Sequence, residues 1–269
     1  MATPKSSKAK SVKTKFILNC LPSQDTVNDW PMASAEEAGL LAAAAIPPAI
    51  DLRDKSWWKI GNQGSTGSCV GWATADSVLR WHFVKAERLG QKDPLSTRYL
   101  WMAAKETDVF VSRPTTFIET DGTSLKAALD IARKFGVVLD STLPFSSGKL
   151  YQGNASTFYA IAAQRRISSY FNLGQNSDDW RKWLASNGPI LTRLDVDKTW
   201  MDAAKTKGKL ENYLPDTANG GHAVALVGYT PDHFIVRNSW GTSWGDNGFA
   251  YASEEYAKAA FTEAYGVTL

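Results

Sequence analysis

The arrangement of apolar positions changes character along this chain. Residues 69–89 read as a helix closed by Gly90, and two further helical segments follow, near 95–105 and over 124–135, the second closed by Gly136. Past residue 150 the pattern turns to strands. Gly188-Pro189 starts a strand over 190–196, and strands over 223–229 and 234–237 flank a Pro-Asp turn. A helical half followed by a strand-rich half predicts an α+β fold of two lobes. Upstream, the longest apolar run (39–46) is too short to span a membrane and ends at Pro47-Pro48. It lies far from Met1 and follows Glu36 and Glu37, so it does not read as a signal peptide. Ser34 and Glu37 predict a capping box on a short helix that the double proline terminates.

Composition narrows the picture modestly. The chain has 269 residues, 43% hydrophobic and 21% charged, as expected of a globular protein with a substantial core. Eleven tryptophans are many for this length, and such rings pack cores or line clefts for extended chains. The net charge is +3, but residues 1–15 hold five lysines and no acid. Taking those five from the 30 basic residues leaves 25 against 27 acids, so the body has no electrostatic case for nucleic acid. The tail itself reads as disordered. Two cysteines, Cys20 and Cys69, cannot form a disulfide framework. No nucleic-acid or membrane partner is expected, and the chain reads as a monomer. With neither signal peptide nor span, it reads as cytoplasmic or exported by a signal-independent route.

The sharpest chemical signal is the stretch 62–73, where a loop with three glycines runs into a helix at Cys69. Free N–H groups and the positive helix end favour a thiolate there. The ordinary alternative is a buried, inert cysteine. Three histidines could serve as its base. His82 lies 13 residues along the same helix, roughly 20 Å away at 1.5 Å per residue, and is excluded. His233 abuts the Pro231-Asp232 turn and reads as solvated. His222 follows Gly220-Gly221, which let another backbone approach. If the turn is centred near 230–231, opposing residues have numbers summing to about 460, which sets His222 beside Asn238. An asparagine there can orient the imidazole, completing a triad.

These blocks, Gln63-Gly64-Ser65-Thr66-Gly67-Ser68-Cys69, Gly221-His222-Ala223 and Asn238-Ser239-Trp240-Gly241, resemble the signature blocks of papain-like cysteine peptidases. His222 follows Cys69 by 153 residues, in keeping with that family's spacing. The resemblance covers about residues 46–269, with 46–53 similar to the start of a mature domain. It implies a papain-like two-lobe fold: a helical lobe over about 50–148, a β-barrel-like lobe over about 149–269, and the cleft between them. It implies a cysteine endopeptidase acting on polypeptides through a thioester, with no cofactor and no metal. Cys69 would be the nucleophile, His222 the base, Asn238 its orienter and Gln63 the side-chain half of the oxyanion hole. Trp240 would shield the Asn238–His222 hydrogen bond. Gly67, Ser68, Pro144, Arg193, Ala223 and Trp240 would bind substrate. A transpeptidase, deamidase or deubiquitinase-like hydrolase, or a non-catalytic peptide binder, would use the same cleft.

Three departures or extensions shape the rest. Thr66 stands where the family usually has a disulfide-forming cysteine, and Val70 where an aromatic residue usually follows the nucleophile, as in bacterial members. Residues 16–45 precede the mature-like start and are expected to be a short pro-segment or occluding arm, or else an extension packed on the back of a lobe. Cys20 lies in that arm; a bridge to Cys69 demands close backbone approach, and an unpaired cysteine without consequence is the ordinary reading. Arg193, finally, either pairs with Asp195 and turns to solvent or points into the pocket for the P2 side chain, where its donors would suit a carboxylate.

Overall fold

The computed structural model describes residues 16–42, 45–107, 121–146 and 151–269. The basic tail, expected to be disordered, lies outside the described residues. The helices are α1 (Met32–Glu37), the long α2, α3 (Thr97–Thr107), α4 (Leu125–Lys134), α5 (Ala155–Ala163), α6 (Ser177–Ser186), α7 (Lys198–Met201) and α8 (Glu254–Ala260). α2 is continuous through Cys69–Gly71, a π-helical stretch Trp72–Leu79, and Arg80–Lys85. The strands are β1 (Ile50–Asp51), β2 (Ser169–Asn172), β3 (Ile190–Asp195), β4 (Lys209–Leu210), β5 (Gly221–Tyr229), β6 (His233–Arg237), β7 (Phe249–Ser253) and β8 (Phe261–Thr268). No helix among the described residues is long and apolar enough to cross a membrane.

One sheet carries the second lobe, in the order β2-β8-β3-β5-β6-β7-β4, with β1 added on β5. Only β4 and β7 run parallel. The sheet is open, so the expected barrel-like lobe has two edges, β2 and β4. β5 is buried along all nine residues, and alternation sends its side chains into two cores. Ala223, Ala225 and Val227 join Val70, Val78, Leu79 and Leu129 of the helical lobe. Val224 and Leu226 face the opposite way, toward Trp180, Trp183 and Leu184 of α6 and Tyr256 and Ala260 of α8. Trp180 and Trp183 are wholly buried, and truncating either to alanine should cost about 3–5 kcal/mol. The sheet thus presses one face against the helix that begins at Cys69, which sets the cleft at the seam.

Three local expectations are corrected. α1 starts at Met32 after Pro31, leaving Ser34 inside the helix, and no side chain caps it. It ends well before the double proline, at Gly39, whose φ of 68° suits a residue without Cβ. α2 stops at Lys85 rather than near residue 89, because Glu87 itself takes the left-handed conformation at φ 57°. By contrast Ser124 caps α4 as expected, accepting from the Ala127 N–H. The β5–β6 register is also shifted: Ala225 pairs with Arg237 and Leu226 with Val236, so opposing numbers sum to 462, not 460. Extending that register sets His222 across from residue 240. Asn238 becomes its diagonal neighbour on the same face, still within side-chain reach.

The N-terminal arm touches both lobes. Residues 16–23 lie in the cleft, whereas 28–42 pack on the sheet lobe. There Pro31 bridges Asn172 of β2, and Asn187 donates to the Leu40 carbonyl at 3.1 Å. Lys126 of α4 holds Asp29 at 2.6 Å and the Asp25 carbonyl at 2.8 Å, tying the arm's middle to the helical lobe.

Candidate active site

Cys69 is the first residue of α2, wholly buried, directly after the loop 61–68. That loop is strapped to the chain after β6: the Gln63 N–H donates to the Ser239 carbonyl at 2.8 Å, and the Gly241 N–H to the Gly61 carbonyl at 3.0 Å. The strap holds the helix start against the end of β6 and the beginning of β5, where His222 and Asn238 stand.

His222 and Asn238 are both buried, with His222 Nε2 2.8 Å from Asn238 Oδ1. The direction of this bond is decided by a third group. The Ser239 backbone N–H, which can only donate, also points at Asn238 Oδ1, at 2.7 Å. The oxygen is therefore the acceptor in both contacts, and His222 Nε2 must carry the hydrogen. Nδ1 is left as the nitrogen that exchanges a proton with the thiol. Trp240 lies over the imidazole with ring centroids 4.8 Å apart, and Trp200 meets it edge-on at 5.9 Å. The His222–Asn238 bond is thus formed in a dry, aromatic surround, where it is stronger than in water.

The Cys69 thiol is held well below its ordinary range. A hydrogen bond from the Cys20 thiol contributes most, and burial opposes it. His222, by hydrogen bond and charge, and the Ala223 N–H act in the same direction as Cys20. Burial, followed by the bond to Cys69, pushes the Cys20 thiol well up.

A model of the family described as papain family cysteine protease matches residues 46–266. The chain belongs to the papain family. Among its relatives, cysteine proteinase B of Leishmania mexicana is 25% identical over 215 residues, covering 77% of this chain and 44% of that protein. The chain therefore matches under half the length of that relative. Xylellain, a cysteine protease from Xylella fastidiosa, has a solved structure that superposes with a TM-score of 0.75 at 20% identity, covering 97% of this chain and 99% of that one. Digestive procathepsin L2 proteinase from Tenebrio molitor superposes with a TM-score of 0.70 at 22% identity, covering 94% and 78%. At these identities the two structures establish the fold, papain-like and two-lobed.

Most of the residues singled out from the sequence converge on this papain-family cleft. Gln63 is buried, its Oε1 accepting from the Ser239 hydroxyl at 2.8 Å and its Nε2 donating to the Thr66 carbonyl at 2.9 Å. Ser68 occupies the cap position before Cys69, and its hydroxyl lies 2.6 Å from that of Thr66. Gly67, also buried, precedes it in the same turn. Ala223 offers its N–H to the Cys69 sulfur. Pro144 sits in the helical lobe, its carbonyl 3.4 Å from Arg98 Nη1. Arg193 does not turn to solvent as the first of its two readings expected. It pairs with Asp195 at 3.0 Å, yet it is only 8% exposed and faces the cleft, donating from Nε to the Cys20 carbonyl at 3.0 Å. Of the histidines set aside, His82 is buried against the Pro189 backbone and His233 pairs with Glu211 at 3.0 Å.

Three residues lining the cleft escaped the sequence reading. Thr123 accepts the Leu21 N–H of the arm at its carbonyl, at 3.0 Å. Gly122 lets the arm pass, since a Cβ there would stand 1.8 Å from the Asn19 carbonyl oxygen. Together they make the helical-lobe wall of the cleft, and their only signal was Asp121-Gly122-Thr123 immediately before the Ser124 cap. Glu263 of β8 pairs across from Arg193 and accepts from the Ser23 N–H at 2.9 Å. It carried no motif at all.

Proposed function

We propose that the protein is a cysteine endopeptidase whose cleft is held shut by its own residues 16–23. The observation that carries the reading is the fixed proton on His222 Nε2, which leaves Nδ1 to take the proton of the Cys69 thiol. The Cys69 sulfur attacks the scissile carbonyl. Protonated His222 Nδ1 then hands its proton to the departing amine, and the same nitrogen deprotonates the water that cleaves the thioester. Gln63 Nε2 keeps one hydrogen beyond that given to Thr66. This hydrogen and the Cys69 N–H are the donors for the tetrahedral oxyanion. Asn238, pinned by Ser239, keeps the imidazole aimed through both half-reactions.

The arm occupies the ground a substrate needs. It lies parallel to Gly221 on one wall and Ser124 on the other, through Asn19 and Leu21, and Phe16 stacks on Trp240 at 3.9 Å. Arg193 and Glu263 lie beneath it as the polar floor that would meet a substrate's P2 side chain. Solved relatives of this fold include pro-forms, such as the Tenebrio molitor procathepsin.

The test compares the full chain with one beginning at Ile46, both incubated with a vinyl-sulfone probe and a peptide library. Labelling and internal peptide cleavage by the shorter chain, with both suppressed in the full chain, is the expected result. Equal rates in the two would remove the arm's role. Labelling without cleavage in either would remove the peptidase reading and leave a transferase or deamidase.

A further inference from the structure

The chain has two cysteines, 49 positions apart, and the fold brings both to one point. Cys20 is placed there by its backbone. Its N–H donates to the Gly221 carbonyl at 3.0 Å, its carbonyl receives Arg193 Nε at 3.0 Å, and the next N–H, of Leu21, reaches Thr123 on the opposite wall. Gly221 permits this approach, because a Cβ there would stand 2.2 Å from the Cys20 carbonyl oxygen. The side chain is thereby buried, 2% exposed, in the same core cluster as the wholly buried Cys69, whose electrostatics it affects. Nothing in the peptidase mechanism requires a sulfur at position 20. A serine, alanine or leucine would fill an occluding arm as well.

We propose that Cys20 and Cys69 form a redox lock, in which a peroxide converts the docked arm into a covalently bound one through a Cys20–Cys69 disulfide. The proposal rests on Cys69 being the reactive thiol of the site. Thiols buried together in one cluster need side-chain rotation rather than backbone travel to reach bonding geometry. The Cys69 thiolate attacks the O–O bond of hydrogen peroxide, forming a sulfenic acid and releasing hydroxide. Cys20 then attacks the sulfenic sulfur, its proton leaving with the displaced hydroxide as water. Two thiols and one peroxide become one disulfide and two waters. A dithiol reductant reverses the bond by exchange. The lock does two things the docked arm alone does not. It keeps Cys69 from oxidising irreversibly, and it retains the arm even after a cut between Leu21 and Ile46.

The experiment uses the full chain exposed to excess hydrogen peroxide, then alkylated and mapped without reduction. The expected result is a Cys20–Cys69 crosslinked peptide and an intact mass lower by two hydrogens, both reversed by dithiothreitol. Cys20→Ser and Cys20→Ala, treated alike, should accumulate sulfinic and sulfonic acid at Cys69 with no recovery by dithiothreitol. Equal irreversible oxidation of Cys69 in wild type and both variants, without the crosslink, overturns the lock. In that case normal labelling of the reduced Ile46 form leaves the peptidase reading intact. A Cys69 that labels in no form sinks both.

Discussion

Two buried polar centres stand on the same helix and the same strand end, and they are built to opposite purposes. Asp76 lies two turns beyond Cys69 on α2, and Arg237 immediately precedes Asn238. Asp76 grips Arg80 at 3.1 Å and Arg237 at 2.6 Å, while Arg237 also donates to the Lys59 carbonyl at 2.8 Å and lies over the Trp58 ring. One carboxylate there is shared by two guanidiniums, and the centre clamps the seam between helix and sheet. At the other centre, His222 has one firm bond, to Asn238, and its second ring nitrogen is left without an oxygen or nitrogen partner. The ion-paired centre fixes the seam, and on that seam the imidazole keeps one ring nitrogen for the Cys69 sulfur.

The largest effect that sharpens this contrast is Cys69→Ala. It should abolish probe labelling and peptide hydrolysis by the Ile46 form while leaving the thermal midpoint within a few degrees. Retained hydrolysis would overturn the site. Asp76→Ala should do the reverse. Leaving Arg237 buried and unpaired costs about 3–5 kcal/mol of stability, visible as an early denaturant midpoint, whereas labelling per folded molecule persists. Gln63→Ala comes next. Turnover should fall about 10²–10³-fold with the thiol still alkylatable, and a loss of only a few-fold would make Gln63 a strap residue alone.

The smallest effect concerns His82, which burial pushes down to about 4. Because its folded value lies below the unfolded one near 6.5, the neutral ring's contribution is complete above about pH 6.5. It is lost as pH falls toward 4, amounting to about 3 kcal/mol over that window. His82→Gln should flatten the decline of stability between pH 6.5 and 4; an unchanged slope would show that another group titrates there.

The chemistry was legible in the sequence because it depends on short, contiguous signals. A Gly-rich loop ending at Cys69, paired glycines before His222, and Ser124 at a cap each act within a few residues. What failed or escaped was set by longer-range packing. Ser34 could cap a helix, but Pro31 starts α1 earlier. Glu87 pays the left-handed strain at the end of α2 before Gly90 is reached. The hairpin sum missed by two because a register irregularity in β5–β6 leaves no mark in the sequence, and the His222–Asn238 contact forms nonetheless because diagonal neighbours share a face. The meeting of Cys20 with Cys69, and of Glu263 with the arm, required knowing which segment crosses the cleft.

The arm's hold on the cleft is modest contact by contact: a few backbone hydrogen bonds, one stacked ring and one thiol. Its strength lies in being tethered. A segment joined to its target meets it at an effective concentration on the order of millimolar, whereas the same residues as a free peptide would be present at whatever the solution supplies. On the proposed reading, a single cut before Ile46 would disturb none of the contacts described, yet would turn a standing inhibitor into one that dilution removes. Release is then governed by volume and turnover of the freed peptide, and the transition becomes irreversible in practice though every bond in the cleft can re-form.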